Sequence, residues 1–224
     1  MDVNVIELWL GTEATLSPNI AEKIRGYVGN KFIEDSFLHN HETNGKQIYR
    51  YPIVQYKVMD GNPLLIGIKD GVGSLWNVFD RLLELKLGNS EHEVFYKKSL
   101  LKQVYLGVSD NIFQYSFLTP WLALNEKNYE KYQMLGNWAK KKELLGKIVI
   151  GNIISMSKSL GYTVPAPIEA NIHNLKEVKT SLKGTSMLGF FGTFSVNFEI
   201  PDYWGIGKSV SRGFGTVVKV NSDQ

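Results

Sequence analysis

Hydrophobic and polar positions along the chain fall into short segments of two periods. Residues 3–10 concentrate branched and aromatic side chains (Val3, Val5, Ile6, Leu8, Trp9, Leu10), the pattern of a short strand. Ser17 followed by Pro18 marks a helix start, and Ile20, Ile24, Val28 and Phe32 then recur every four residues, predicting a helix with one apolar face. Residues 47–58 and 64–68 read as strands, joined through Asp60, Gly61, Asn62 and Pro63 as a hairpin. A glycine-containing break at 71–74 precedes a second amphipathic helix carrying Leu75, Val78, Phe79, Leu82, Leu83 and Leu85, and a strand is predicted within 93–106.

A similar order restarts after residue 107. It comprises a strand around 112–118, helical sequence over 126–160 and strands within 168–181, 186–200 and 214–220. The helical stretch is expected to break near Gly136 and Asn137, because Tyr129, Tyr132 and Leu135 precede that point while Leu144, Leu145, Ile148 and Ile153 follow it on a new face; Gly161 supplies the stop. Strand, helix, strand, strand, helix, strand is the order of a ferredoxin-like unit. The expected fold class is therefore α+β with two tandem ferredoxin-like domains, residues 1–107 and 108–224.

Composition narrows the function. With 43% hydrophobic and 12% aromatic residues the 224-residue chain can bury two cores. It has no cysteine, which removes disulfides and thiolate metal sites. No basic leader opens the sequence and no apolar run reaches the ~18 residues of a membrane span, so a soluble cytoplasmic protein with no membrane partner is expected. Residues 1–120 hold 12 basic and 14 acidic side chains, whereas residues 121–224 hold 13 and 8, so the positive surplus lies in the second half, where a phosphate backbone would be attracted.

The most informative stretch runs from Gly205 through Gly207, Lys208, Arg212, Gly213 and Phe214 to Gly215, just ahead of the last predicted strand. Glycines permit positive φ and close approach of the main chain to a ligand, and Lys208 and Arg212 bring charge suited to phosphate. A Walker A loop would need glycine at Asp202, and a dinucleotide fingerprint would need it at Val210. The nine residues after Gly215 are also too few for the helix and strand that either motif feeds. The structural alternative is a tight connection before a terminal strand.

This glycine pair, basic stretch and second glycine pair resemble the C-terminal hallmark of the RAMP superfamily, the repeat-associated proteins of CRISPR loci. Within it the chain is most similar to the repeat-processing endoribonucleases, a likeness extended by Tyr51-Pro52-Ile53-Val54-Gln55-Tyr56-Lys57 and by Leu64 to Ile68, and covering nearly the whole chain. The resemblance implies CRISPR repeat RNA as partner, with effector-complex subunits and a second copy of the chain as further candidates, and cleavage without metal or other cofactor. It places the catalytic segment after the first helix, at His39-Asn40-His41; beside it, and on chemical grounds alone, Tyr49 is a candidate to donate or orient a proton and Lys31 to offset phosphate charge. Gly205, Gly207, Lys208, Arg212, Gly213, Phe214 and Gly215 would hold RNA, joined by Lys140 and Lys141 if those lysines share a face with the loop; otherwise they are a solvated helix surface.

Both imidazoles of His39 and His41 point to one side if the segment is extended. Histidine titrates near neutrality and can remove the proton of a 2′-hydroxyl or supply one to a leaving 5′-oxygen. The alternative is a polar surface loop flanked by Asp35, Glu42 and Asn44. Two histidines without cysteine or a third nearby imidazole make a poor zinc set. His92 and His173 fall in or beside predicted strands and are expected to be structural or exposed, and most strand aromatics, Tyr56 and Phe190 among them, are expected to fill the core. A non-catalytic RAMP subunit that only binds guide RNA is the competing function.

Overall fold

The computed structural model describes residues 1–39 and 50–220, with His39 described by its backbone alone. Its residues separate into two compact units, each built on one antiparallel sheet.

The first unit comprises residues 2–104 and 210–213. Its elements are β1 (Asp2–Thr12), α1 (Ala21–Lys31), α2 (Ser36–His39), β2 (Val54–Met59), β3 (Asn62–Ile68), α3 (Gly71–Arg81), β4 (Glu84–Leu87) and β5 (Ser90–Tyr105). The sheet order is β2-β3-β1-β5-β4, which is the ferredoxin-like arrangement with β4 added as a hairpin arm beside β5. β2 and β3 meet in register from Val54 opposite Gly67 to Met59 opposite Asn62, closed by the turn through Asp60 and Gly61. Ile24 and Val28 of α1 and Leu75 and Val78 of α3 press on Ile6, Leu8, Leu10, Val54, Tyr56 and Val58. Each fully buried side chain of this kind contributes about 1.5–3 kcal/mol. At β2 the opposite face is closed as well, since every residue of that strand is buried, Gln55 and Lys57 included. Leu85, read as helical from its spacing, lies instead in β4: the chain turns extended at Leu82 and pairs with β5.

The second unit holds Met1, residues 105–209 and residues 214–220. β6 (Gly107–Phe117) is followed by α4 (Glu126–Met134), α5 (Trp138–Ser159), β7 (Ala170–Leu182), β8 (Thr185–Glu199) and β9 (Val217–Lys219), in the sheet order β7-β8-β6-β9. The expected helical break falls between α4 and α5. Asn137 caps α5 by accepting from the Lys140 amide at 2.9 Å, which restarts the helix on a new face. Between β8 and β9, where a ferredoxin-like unit has its second helix, the chain has a single 3-10 turn, Val210–Arg212, and that turn belongs to the first unit.

Candidate nucleic-acid interface

The base of the glycine loop is built within the second unit. Gly205 bridges to Thr216, the Lys208 amide donates to the Leu122 carbonyl at 3.2 Å, and the Gly215 amide donates to the Pro120 carbonyl at 3.0 Å. Trp121 underlies it, with its indole N–H on Asn152 Oδ1 of α5 at 3.1 Å and its ring against Gly207. Gly215 has φ +64°, and a Cβ there would stand 2.0 Å from the Ile206 carbonyl oxygen, so only glycine fits without rebuilding the loop. This requirement is internal to the fold and needs no ligand. Lys208 is exposed and Phe214 half-buried.

The tip of the loop, residues 210–213, packs within the first unit against α1 and β2. Pro18 sits in the turn that leads into α1. Glu22 and Arg25 lie three residues apart on that helix and are surface neighbours. Arg212 Nε donates to Glu22 Oε1 at 3.1 Å, and the Arg212 side chain keeps only 15% of its exposure. Burial, and then the positive charge of Arg212, draw the Arg25 guanidinium below its usual pKa, while Tyr56 and Glu22 act in the opposite sense. Gly213 has φ +89°, and its missing Cβ would meet the Ala21 Cβ at 3.0 Å and the Tyr56 carbonyl oxygen at 3.1 Å. The tip therefore needs a residue without a side chain to lie this close to β2.

Tyr56 also reaches the turn that carries the first predicted histidine. Its hydroxyl donates to the Leu38 carbonyl oxygen at 2.9 Å, with both residues buried. Asp35 starts that turn: its Oδ1 accepts from the Phe37 amide at 3.0 Å, and its carbonyl accepts from the Leu38 amide at 3.1 Å. The backbone leading into His39 is thus held from both ends. His41 and Tyr49 lie outside the described residues, as does the side chain of His39. Lys31, in the last turn of α1, donates to the Tyr27 hydroxyl at 3.2 Å and stands 3.9 Å from the Glu84 carboxylate.

Lys140 and Lys141 lie in the first turn of α5. Lys140 is exposed, whereas Lys141 is engaged with Glu177 at 3.4 Å and with the faces of Tyr132 and Trp138 at 4.3 and 5.2 Å. His92 touches Glu13 at 3.1 Å and Ser90 at 3.2 Å, and His173 touches Ser195 at 2.9 Å. Glu22 and Arg25 carry no sign of a role in the sequence, and Tyr56 reads there as a strand aromatic expected in the core. Sequence reasoning also misses Lys57, whose amino group is fully buried with no hydrogen-bond partner among the described residues and is pulled by burial down to about 7. No local signal marks its burial, because Val54, Tyr56 and Val58 alternate with Gln55 and Lys57 in the pattern of a strand with one solvent face.

The two antiparallel sheets define a tandem ferredoxin-like fold, which the structure of Csf5, a CRISPR-Cas type IV Cas6 crRNA endonuclease, shares at 10% identity with a TM-score of 0.64 over 99% of this chain and 100% of that one. Sequence profiles narrow this further: the Cas6b N-terminal domain matches residues 1–104 and the Cas6b C-terminal domain matches residues 107–220. The chain belongs to the Cas6b family. A crystal structure of Cas6b is similar at 40% identity and a TM-score of 0.90, and that of a CRISPR RNA processing endoribonuclease Cas6b at 37% and 0.78, each covering 98% of this chain and 100% of the other.

Proposed function

We propose that this chain is a metal-independent endoribonuclease that cuts CRISPR repeat RNA into guide RNAs. The observation that carries this reading is the likeness, over 98% of the chain at 37% identity, to a CRISPR RNA processing endoribonuclease Cas6b. In the proposed reaction the 2′-oxygen attacks the adjacent phosphorus as one imidazole of the His39/His41 pair takes its proton. The bond to the 5′-oxygen breaks as the other imidazole protonates it, leaving a 2′,3′-cyclic phosphate and a 5′-hydroxyl. Each proton transfer contributes roughly 10² to 10⁴ in rate. Lys31 offsets charge on the phosphorane, its weak 3.9 Å pairing with Glu84 being easily exchanged for phosphate, and Tyr49 orients a proton.

The division of labour proposed is a first domain, residues 1–107, for proton transfer and a second, residues 108–224, that supplies the glycine loop and Lys140 and Lys141 to the RNA backbone. Lys208, exposed on the loop, is the direct phosphate contact, and Arg212 contributes from its place on Glu22. The compartment proposed is the cytoplasm; effector-complex subunits and a second copy of the chain are further partners, to be probed by pull-down and by mass in solution.

Incubation of the repeat transcript with excess chelator tests the reading. The wild-type chain should cut at one linkage, while His39→Ala/His41→Ala should bind the transcript and cut at least about 10³-fold more slowly. Equal cutting by the double variant would remove the histidines from the mechanism. A wild-type chain that binds without cutting would be a non-catalytic RNA-binding subunit.

A further inference from the structure

We propose that Tyr56 is a positioning residue for the cleavage step: its hydroxyl fixes the turn that carries His39, while its main chain seats the tip of the glycine loop. The inference rests on the assignment of His39 above.

α2 spans four residues, far fewer than a helix needs to persist unaided, so its geometry is imposed by what grips it. Besides the packing of Phe37 and Leu38 on the core and the Leu38 amide on the Asp35 carbonyl, two side chains grip its backbone. Asp35 satisfies the Phe37 amide at the start of the turn, and Tyr56 satisfies the Leu38 carbonyl at its end. That carbonyl is one of the terminal acceptors a helix leaves without an internal partner, and Leu38 itself is 1% exposed, where an unmet acceptor is expensive. The tyrosine ring is fully enclosed by the core of the first unit, packed with Val54, Val58, Ile24 and Val28. The hydroxyl therefore has little freedom to seek another partner. Burial pushes the phenol far above its usual titration range, so it keeps its proton and remains a donor throughout the working range of an RNA-cleaving enzyme.

The other end of the residue meets the loop. Gly213 lies so close to the Tyr56 carbonyl that a methyl group would stand 3.1 Å from it. One residue of β2 thus borders both a segment proposed to hold RNA and the peptide immediately before a histidine proposed to transfer a proton. Displacement of a catalytic group by about 1 Å can cost about 10²-fold in rate with no loss of substrate contacts. The signature of the role is therefore a loss of turnover without a loss of binding.

The test compares Tyr56→Phe with the wild-type full chain in single-turnover cleavage of repeat RNA and in binding of a repeat carrying a 2′-deoxy sugar at the cut site, well below the melting temperature of both proteins. Binding is expected to stay within about twofold, with cleavage falling about 10- to 100-fold. Added to His39→Ala, Tyr56→Phe should lower the residual rate by less than about twofold, because the residue acts through that imidazole. Asp35→Ala releases the other end of the same turn from outside the core and should give the same split between rate and binding, so the test stands even if Tyr56→Phe folds poorly. Wild-type turnover in both single variants would overturn the proposal, as would a Tyr56→Phe loss that persists in full on the His39→Ala background. Full activity of His39→Ala alone would instead overturn the underlying assignment of His39, and the proposal with it.

Discussion

The two units make the same crossover in different materials. In the first, the chain passes from β3 to the far side of the sheet through α3, an eleven-residue helix that buries Leu75 and Val78 by ordinary helical spacing. In the second, the passage from β8 to β9 has no helix beyond the 3-10 turn that belongs to the first unit, and it buries Trp204 and Ile206 through a loop held by specific backbone contacts. A helix satisfies its own main chain and tolerates change on its outer face. The loop closes its main chain on the Pro120 and Leu122 carbonyls and lies against the Trp121 ring at Gly207, so its conformation depends on single residues. The same topology therefore yields a scaffold at one crossover and a site of exacting geometry at the other.

Glycine substitutions sharpen this contrast most strongly. Gly215→Ala, with a Cβ aimed at a carbonyl oxygen 2.0 Å away, should destabilise the protein by about 2–4 kcal/mol and lower its melting temperature by roughly 5–15 °C in calorimetry. Gly73→Ala in α3, where the added methyl meets nothing within 4 Å, should stabilise by about 0.5–1 kcal/mol. Two changes of the same sign and size would show that the crossovers do not differ in this way.

Lys57 gives the next largest effect. Its amino group loses water without gaining a partner among the described residues, so Lys57→Met should raise stability at neutral pH by about 1–3 kcal/mol in denaturant unfolding. The folded-state pKa of about 7 lies below the usual 10.5, so between these values the unfolded chain holds the extra proton and wild-type stability climbs as pH rises. Below about 7 the full penalty is present. The variant should lack that climb, and an unchanged slope would mean that Lys57 is charged or solvated in the folded protein.

How far the sequence led can be judged from particular elements. The break between α4 and α5 was legible because Asn137 is a cap and the apolar face changes across it, both local signals. The hairpin of β2 and β3 was legible from its Asp60-Gly61 turn. β4 was not, since Leu82, Leu83 and Leu85 continue the helical spacing and only pairing with β5 holds Leu85 in a strand. In the candidate site, the glycine loop stood out by composition, but the partners of its tip did not. Arg212 and Glu22 are 190 positions apart, and no local pattern couples them. Tyr56 reads from sequence as one more core aromatic, because its hydroxyl bond to Leu38 exists only in the folded unit.

The smallest expected effect separates the two cations of the loop. Lys208→Ala should reduce the salt dependence of repeat-RNA binding by about 0.7 in log–log slope, the contribution of one phosphate contact on a single strand, and leave melting unchanged. Arg212→Ala should lower the melting temperature through the loss of its contact with Glu22. An unaltered slope for Lys208→Ala would remove that residue from the RNA path.

The most direct test of the account is cleavage of a repeat RNA carrying one 2′-deoxy sugar at the scissile linkage. The chain should bind it as it binds the all-ribose repeat and leave it intact, while cutting the all-ribose repeat in chelator to a 2′,3′-cyclic phosphate and a 5′-hydroxyl end. Cleavage of the deoxy-substituted strand at that linkage would contradict attack by the 2′-oxygen and the proton-transfer roles built upon it.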